Sequence, residues 1–273
     1  MSQEDLVAGI QDVCWSPDSK SIYFSGMWHK KDYSDYHPGK WSIYKYDFNS
    51  LKVTKILDSA YTVSVSPDGK RLAVKLIVGG NNDVYVCNSD GSALKRLTNN
   101  LEGDFAPSWS PDGIHLVYNS RYNGKYEVYT TDGKTNKRIT FSNGASAYNP
   151  VWSPDGKQIV YYLETGDGKD QIHVMNADGT NDMNITSDTL HNYFPGWTSD
   201  NRIVYTCDTK TGPSYAILID RDGKNREQVP GIESFYTRLS PDRKMWAFIG
   251  RDGKIHIVNA GDSIEITTFS LSR

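Results

Sequence analysis

Six copies of one short motif decide what this chain can fold into. Ser16-Pro17-Asp18-Ser19-Lys20 returns as Ser66-Pro67-Asp68-Gly69-Lys70, as Ser110-Pro111-Asp112-Gly113 and as Ser153-Pro154-Asp155-Gly156-Lys157. A degenerate copy stands at Thr198-Ser199-Asp200-Asn201, and the last is Ser240-Pro241-Asp242-Arg243-Lys244. The copies fall at intervals of roughly 42 to 50 residues, the length of one four-stranded propeller blade. Each copy reads as a tight reversal. Proline presets φ, aspartate bonds nearby backbone N–H groups, and glycine supplies a positive φ. Ser199 in place of proline loosens the fifth turn without abolishing it.

The flanks of the motif agree. A short run ending in a bulky residue precedes each copy: Trp15, Val65, Trp109, Trp152, Trp197 and Leu239. After it comes a β-branched and aromatic run such as Leu116-Val117-Tyr118, then a third run such as Glu127-Val128-Tyr129. Several third runs end in a hairpin dipeptide, at Asp90-Gly91, Asp132-Gly133, Asp178-Gly179 and Asp222-Gly223. A short fourth run closes each unit. The expected fold is all-β: a six-bladed β-propeller with four antiparallel strands per blade. The blades are placed at about residues 10–59, 60–102, 103–146, 147–190, 191–232 and 233–270 of a single domain spanning 1–273. The first and last units each hold four candidate strands. The ring is therefore expected to close by packing blade six on blade one, with no exchanged terminal strand.

Thirty Lys and Arg against 33 Asp and Glu give a net charge of −3, a balance with no electrostatic footprint for nucleic acid, though it leaves room for a local basic patch. No apolar run is long enough to span a bilayer, and residues 1–6 lack the pattern of a signal peptide. A cytoplasmic protein fits, and so does a periplasmic or secreted one whose signal peptide was trimmed. Cys14, Cys87 and Cys207 have no metal-ligand spacing and read as small buried residues. No cofactor and no metal are expected, and a monomer is the expected state.

The run Pro107-Ser108-Trp109-Ser110-Pro111-Asp112-Gly113, followed by a strand, an Asp-Gly turn and Arg-Ile-Thr, resembles the WD40-like Pro-Asp repeat. That repeat builds the propellers of TolB-like proteins and of prolyl-oligopeptidase-type peptidases. The resemblance covers nearly the whole chain, but its residues belong to turns and packing, so it speaks to fold. Both relatives carry a further α/β domain that these 273 residues do not contain. Envelope-system or peptidase roles are therefore not inherited by default, and a propeller cut from a longer protein is an open alternative.

Function is expected where the repeats differ. In propellers of the resembled type the turns lie on one face, and ligands approach the other. The largest insertion there runs from Met27 to Trp41 in blade one and carries Trp28, His29, Tyr33, Tyr36, His37 and Trp41. It is either a ligand contact or a lid packed on its own blade through Trp28 and Trp41. Arg121, Tyr122 and Tyr126 in blade three, with Lys210 and Tyr215 in blade five, form further polar-aromatic candidates. Four residues before each bulky strand residue stand Gln11, Tyr61, Phe105, Tyr148, Tyr193 and Phe235, five of them aromatic. Plain strand alternation puts this ring on the same side as Trp109, Trp152 and Trp197, wedged between blades; the alternative is a platform at the channel mouth.

No nucleophile elbow, metalloprotease helix, phosphate loop or dinucleotide fingerprint occurs. His29, His37 and His191 could converge on a metal, while Glu164, Asp167 and Asp170 read as a solvated loop. The leading expectation is a non-enzymatic binding or scaffolding propeller that takes a protein, peptide or glycan on its top face and channel mouth. The alternative is a carbohydrate-active lyase or hydrolase with a metal or acid/base site in the central pocket.

Overall fold

A computed structural model describes residues 6–164, 166, 169–209, 211–262 and 265–271. They form six four-stranded antiparallel sheets, each built from consecutive strands. Blade 1 holds β1 (Leu6–Trp15), β2 (Ser21–Lys30), β3 (Ser42–Asp47) and β4 (Lys52–Asp58). Blade 2 holds β5 (Ala60–Val65), β6 (Arg71–Val78), β7 (Asn81–Asn88) and β8 (Lys95–Arg96). Blade 3 holds β9 (Asp104–Trp109), β10 (Leu116–Tyr122), β11 (Lys125–Thr131) and β12 (Asn136–Arg138). Blade 4 holds β13 (Ser146–Trp152), β14 (Gln158–Glu164), β15 (Gln171–Asn176) and β16 (Met183–Asn184). Blade 5 holds β17 (His191–Trp197), β18 (Arg202–Asp208), β19 (Ser214–Asp220) and β20 (Glu227–Glu233). Blade 6 holds β21 (Tyr236–Leu239), β22 (Met245–Ile249), β23 (Ile255–Asn259) and β24 (Glu265–Phe269).

Each repeated motif makes the β-turn its chemistry dictates. In blade 2, Ser66 Oγ accepts from Arg71 N at 2.9 Å and donates to Asp68 Oδ1, which also accepts from Lys70 N at 3.1 Å. The fourth turn position is left-handed in every copy, including Ser19, Asn201 and Arg243 where glycine is replaced. Among the described residues Ser199 N donates no backbone hydrogen bond, and the five other copies carry proline at this position. Ser199→Pro is expected to stabilise the protein by about 0.4–1 kcal/mol through the unfolded chain. A rise in the urea midpoint at unchanged m-value checks it.

The core is divided among the blade interfaces. Six apolar clusters occur, one between each pair of neighbouring blades. Trp109, for example, wedges against Ala73 and Val84 of blade 2 and against Leu116 and Tyr118 of its own blade. Between blades 6 and 1, Ala247, Ile255 and Ile257 pack on Val13, Trp15 and Phe24. Trp15 Nε1 also donates to Arg238 O at 3.1 Å, and Asp242 N to Ser19 Oγ at 3.1 Å. The ring thus closes by packing. Leu6 to Ile10 pair with Gly26–Lys30 inside blade 1, and no strand is exchanged among the described residues. Cys87 and Cys207 are buried in these clusters, and Cys14 packs against one of them.

One expectation fails for a physical reason. The inner strands of blades 2 to 5 are not regular; each carries a β-bulge. Thr62, Ala106, Asn149 and Phe194 sit there at φ of 52, 51, 51 and 53°. In blades 3 to 5 the next residue is Pro107, Pro150 or Pro195, which suits a position whose N–H is released from the ladder. The extra residue reverses the side-chain alternation. Trp109 lies opposite Leu116 while Phe105 lies opposite Asn119, three residues on, so Phe105 and Trp109 face opposite sides of the sheet. The same holds for Tyr148 and Trp152 and for Tyr193 and Trp197. The tryptophans wedge between blades; the ring aromatics do not join them.

Candidate functional site

The bulges shape the central channel. Its cavity, of about 250 Å³, is lined by inner-strand residues including Asp12, Thr62, Ala106, Asn149, Phe194 and Arg238. The bulges are clamped by neighbouring blades. Asp12 Oδ2 accepts from Val63 N at 2.9 Å, and its Oδ1 accepts from Ser25. Asn119 Nδ2 donates to Ala147 O at 2.6 Å and its Oδ1 accepts from Asn149 N at 2.8 Å. Arg238 reaches from blade 6 to Phe194 O at 3.1 Å and Pro195 O at 3.0 Å, its guanidinium 4.0 Å over Tyr236. Burial pushes the Asp12 carboxyl up, opposed by its hydrogen bonds to Ser25 and Val63 and by Arg238.

At the top mouth the displaced aromatics meet one another. Phe105 lies edge-on to Tyr126 at 4.8 Å, Tyr126 lies 5.2 Å from Tyr148, and Tyr148 stacks on Tyr162 at 5.3 Å. Tyr162 contacts Tyr193 and Phe194, and Phe194 lies 5.5 Å from Tyr236. The result is a continuous aromatic arc over blades 3 to 6, half-buried along its length. Burial raises the Tyr148 and Tyr236 hydroxyls to about 12, so these side chains are neutral amphipathic surfaces at physiological pH. Such rings offer large contact area at little entropic cost.

The insertion of blade 1 is shorter than the sequence suggested, because β2 continues to Lys30. Met27 and Trp28 are therefore strand residues, and Trp28 packs on the cluster between blades 6 and 1. His29 is buried, stacks on Tyr33 at 4.3 Å, and bonds Lys30 O through Nδ1. The remaining loop is pinned by Asp35, which accepts from Lys30 N at 2.6 Å and pairs with Lys40 Nζ at 2.7 Å. Trp41 is 7% exposed, lies edge-on to Tyr61 at 5.2 Å, and its indole N–H has no partner among the described residues. Tyr36, His37 and Trp41 form one wall of a groove of about 770 Å³ that ends on Tyr61, Lys75 and Asn82 of blade 2.

The other candidates spread out. Arg121 lies 5.9 Å over Tyr126 at the outer end of the arc. Tyr122 is exposed and carries Arg138 at 3.9 Å, and the same guanidinium lies 4.3 Å from the Phe141 ring. Tyr215 belongs to β19 and lines a separate recess between blades 5 and 6. Phe235 is 45% exposed beside Tyr236. Lys210 and Asp167 lie outside the described residues. His37 Nδ1 accepts from Gly39 N and His191 Nδ1 meets Asp170, so His29, His37 and His191 have separate partners. No group of three metal-ligating side chains occurs among the described residues. No helix among them is long and apolar enough to cross a membrane.

Sequence inspection missed Tyr162, Phe194, Tyr236, Arg238 and Lys75. The prolines two residues after the ring aromatics signal the bulge. The lone lysine in Leu72-Ala73-Val74-Lys75-Leu76-Ile77-Val78 signals a charge where the strand is otherwise apolar.

Fold and site together define a Pro-Asp-repeat six-bladed propeller with an aromatic arc at one mouth of its channel. Residues 14–238 match the TolB beta propeller domain, and the chain belongs to that family. The Tol-Pal system protein TolB of Bordetella pertussis is 36% identical over 145 residues, 52% of this chain and 33% of that protein. The chain thus spans about a third of the length of the curated Bordetella relatives it matches. An uncharacterized protein of Agrobacterium fabrum is 29% identical over 172 residues, 60% of this chain and 58% of the other. A structure assigned to TolB from Agrobacterium tumefaciens superposes with a TM-score of 0.71 at 23% identity, covering 87% of each chain. TolB from Acinetobacter baumannii gives 0.72 at 16% identity, over 96% of this chain and 62% of that one. At these identities the superpositions show the fold.

Proposed function

We propose that this propeller is a non-catalytic binding module that holds an extended segment of a partner protein against the aromatic arc at its channel mouth. The observation that carries this reading is the arc itself. Its rings sit on rigid strands of four blades and arise from a bulge repeated in the first three of them. Rings fixed in advance lose little entropy on binding, which favours a peptide that must itself be ordered. The Tol-Pal assignment of the curated relatives supports a protein partner.

Tyr148 and Tyr193 are central to the arc and flank Tyr162. Peptide-array screening of the full chain is expected to enrich a set of sequences. Changing both Tyr148 and Tyr193 to alanine is expected to weaken the best of them at least tenfold, the scale of an interface hot spot. Unchanged affinity in a folded double variant would remove the arc as the site. Hits confined to a glycan array would turn the assignment towards saccharides.

A further inference from the structure

The groove between blades 1 and 2 holds a feature that the aromatic arc does not explain. In the blade register Lys75 lies opposite Tyr61, as Asn119 lies opposite Phe105 and Thr206 opposite Tyr193. Asn119 clamps the bulge of the next blade, and Thr206 Oγ1 donates to Phe235 O at 2.9 Å. Lys75 makes no such bond. Its Nζ lies 4.2 Å from the Tyr61 ring centroid, with no hydrogen-bond acceptor and no carboxylate at ion-pair distance among the described residues. A position used structurally in blades 3 and 5 here carries an ammonium aimed at a ring.

The charged and titratable surroundings sharpen the contrast. Lys40, on the same rim, is neutralised by Asp35 at 2.7 Å. Asp12 on β1 attracts Lys75, but its carboxylate oxygens are occupied by Ser25 and Val63. On β7, Asp83 is engaged by Arg96 at 2.7 Å. His37, Tyr36 and Tyr61 complete the lining, and burial raises the Tyr61 hydroxyl. Burial lowers the Lys75 ammonium to about 8. A half-buried ammonium that lines a groove with no acceptor among the described residues calls for an anion.

We infer that this groove is a carboxylate-binding site, with Lys75 as the counter-ion and Trp41, Tyr61 and Tyr36 as walls for the carbon skeleton that bears the carboxylate. One ammonium matches one negative charge, and an ammonium over a ring leaves its other hydrogens for the ligand. The inference rests on the top face being a binding surface, and it names the group that one part of that face takes. An acidic residue of a peptide and a sugar acid share this chemistry.

The test uses the full chain, tryptophan fluorescence and the ¹⁵Nζ resonance of Lys75. An N-acetylated triglutamate peptide, galacturonic acid and acetate are titrated separately from pH 6 to 10. At least one carboxylate is expected to saturate at pH 7, shift the Lys75 resonance, and lose affinity by up to tenfold per pH unit above about 8. Lys75→Met is expected to abolish both binding and its pH dependence. Lys75→Arg is expected to keep binding at pH 9. Saturation by triglutamate alone identifies a peptide source, and by galacturonic acid alone a sugar acid; either supports the site. Equal binding by folded Lys75→Met, or no saturation by any carboxylate, overturns it. The variant with alanine at Tyr148 and Tyr193 separates the two readings, because it is expected to lose arc peptides and keep the carboxylate.

Discussion

Gly179→Ala is expected to destabilise the protein by about 2–5 kcal/mol, whereas Gly124→Ala costs about 1–2 kcal/mol. Both glycines are left-handed, at φ of 92 and 77°, so both substitutions carry the same backbone penalty. A Cβ on Gly124 meets nothing within 4 Å. On Gly179 it collides with the carbonyl oxygen of Ile139 in the preceding blade. That oxygen belongs to backbone and cannot swing aside. The difference between the two variants therefore measures how tightly the Asp-Gly turn of blade 4 seats on blade 3. Urea unfolding of both, with m-values compared, provides the check. Equal losses would show that the turns touch without bearing on one another.

The second large effect is electrostatic. Lys75 has a folded-state pKa near 8 against an ordinary value of 10.5. Between those values the unfolded chain binds more protons than the folded one, so stability rises with pH across that window. Below pH 8 the full penalty applies, on the order of 2–3 kcal/mol. Lys75→Met is thus expected to stabilise the protein by roughly that amount at pH 7, with the charge-dependent gain fading towards pH 10.5. Thermal melts of both proteins from pH 6 to 10.5 measure it. A stability gain that does not change with pH would assign the effect to packing alone. The penalty is consistent with a residue placed for a ligand, since residues at binding sites are where a fold departs from its own stability rules.

Much of this architecture was legible in the sequence. Turn chemistry at Ser66-Pro67-Asp68-Gly69 and its copies gives the blade count, and Trp109, Trp152 and Trp197 mark the wedges between blades. The candidate site was less legible. Tyr148 and Tyr193 stood out by position, but a strict two-residue alternation turned them towards the tryptophans. A bulge depends on the strand beside it, through clamps such as Asn119 on Asn149 that no local pattern displays. The insertion of blade 1 misled for a similar reason. Met27 to Lys30 read as loop by composition, yet Leu6 to Ile10 offer a partner strand and extend the sheet. Lys75 is visible in the sequence as a break in an apolar run. Its lack of an acceptor is a property of three neighbouring strands and became apparent only in space.

The repeated bulge also has a bearing on how such a molecule can change over time. One surplus residue in each of five inner strands uncouples the upper half of the strand from the lower half. Below it, the side chains answer to the next blade and tolerate little. Above it, they face the mouth of the channel. New specificities can thus be tried at Tyr61, Phe105, Tyr148 or Tyr193 by simple substitution while the wedges stay in place. Deletion of a single residue such as Thr62 would instead restore the alternation and swing Tyr61 from the mouth into the seam between blades. The surface is free to drift in identity, and closed to drift in length.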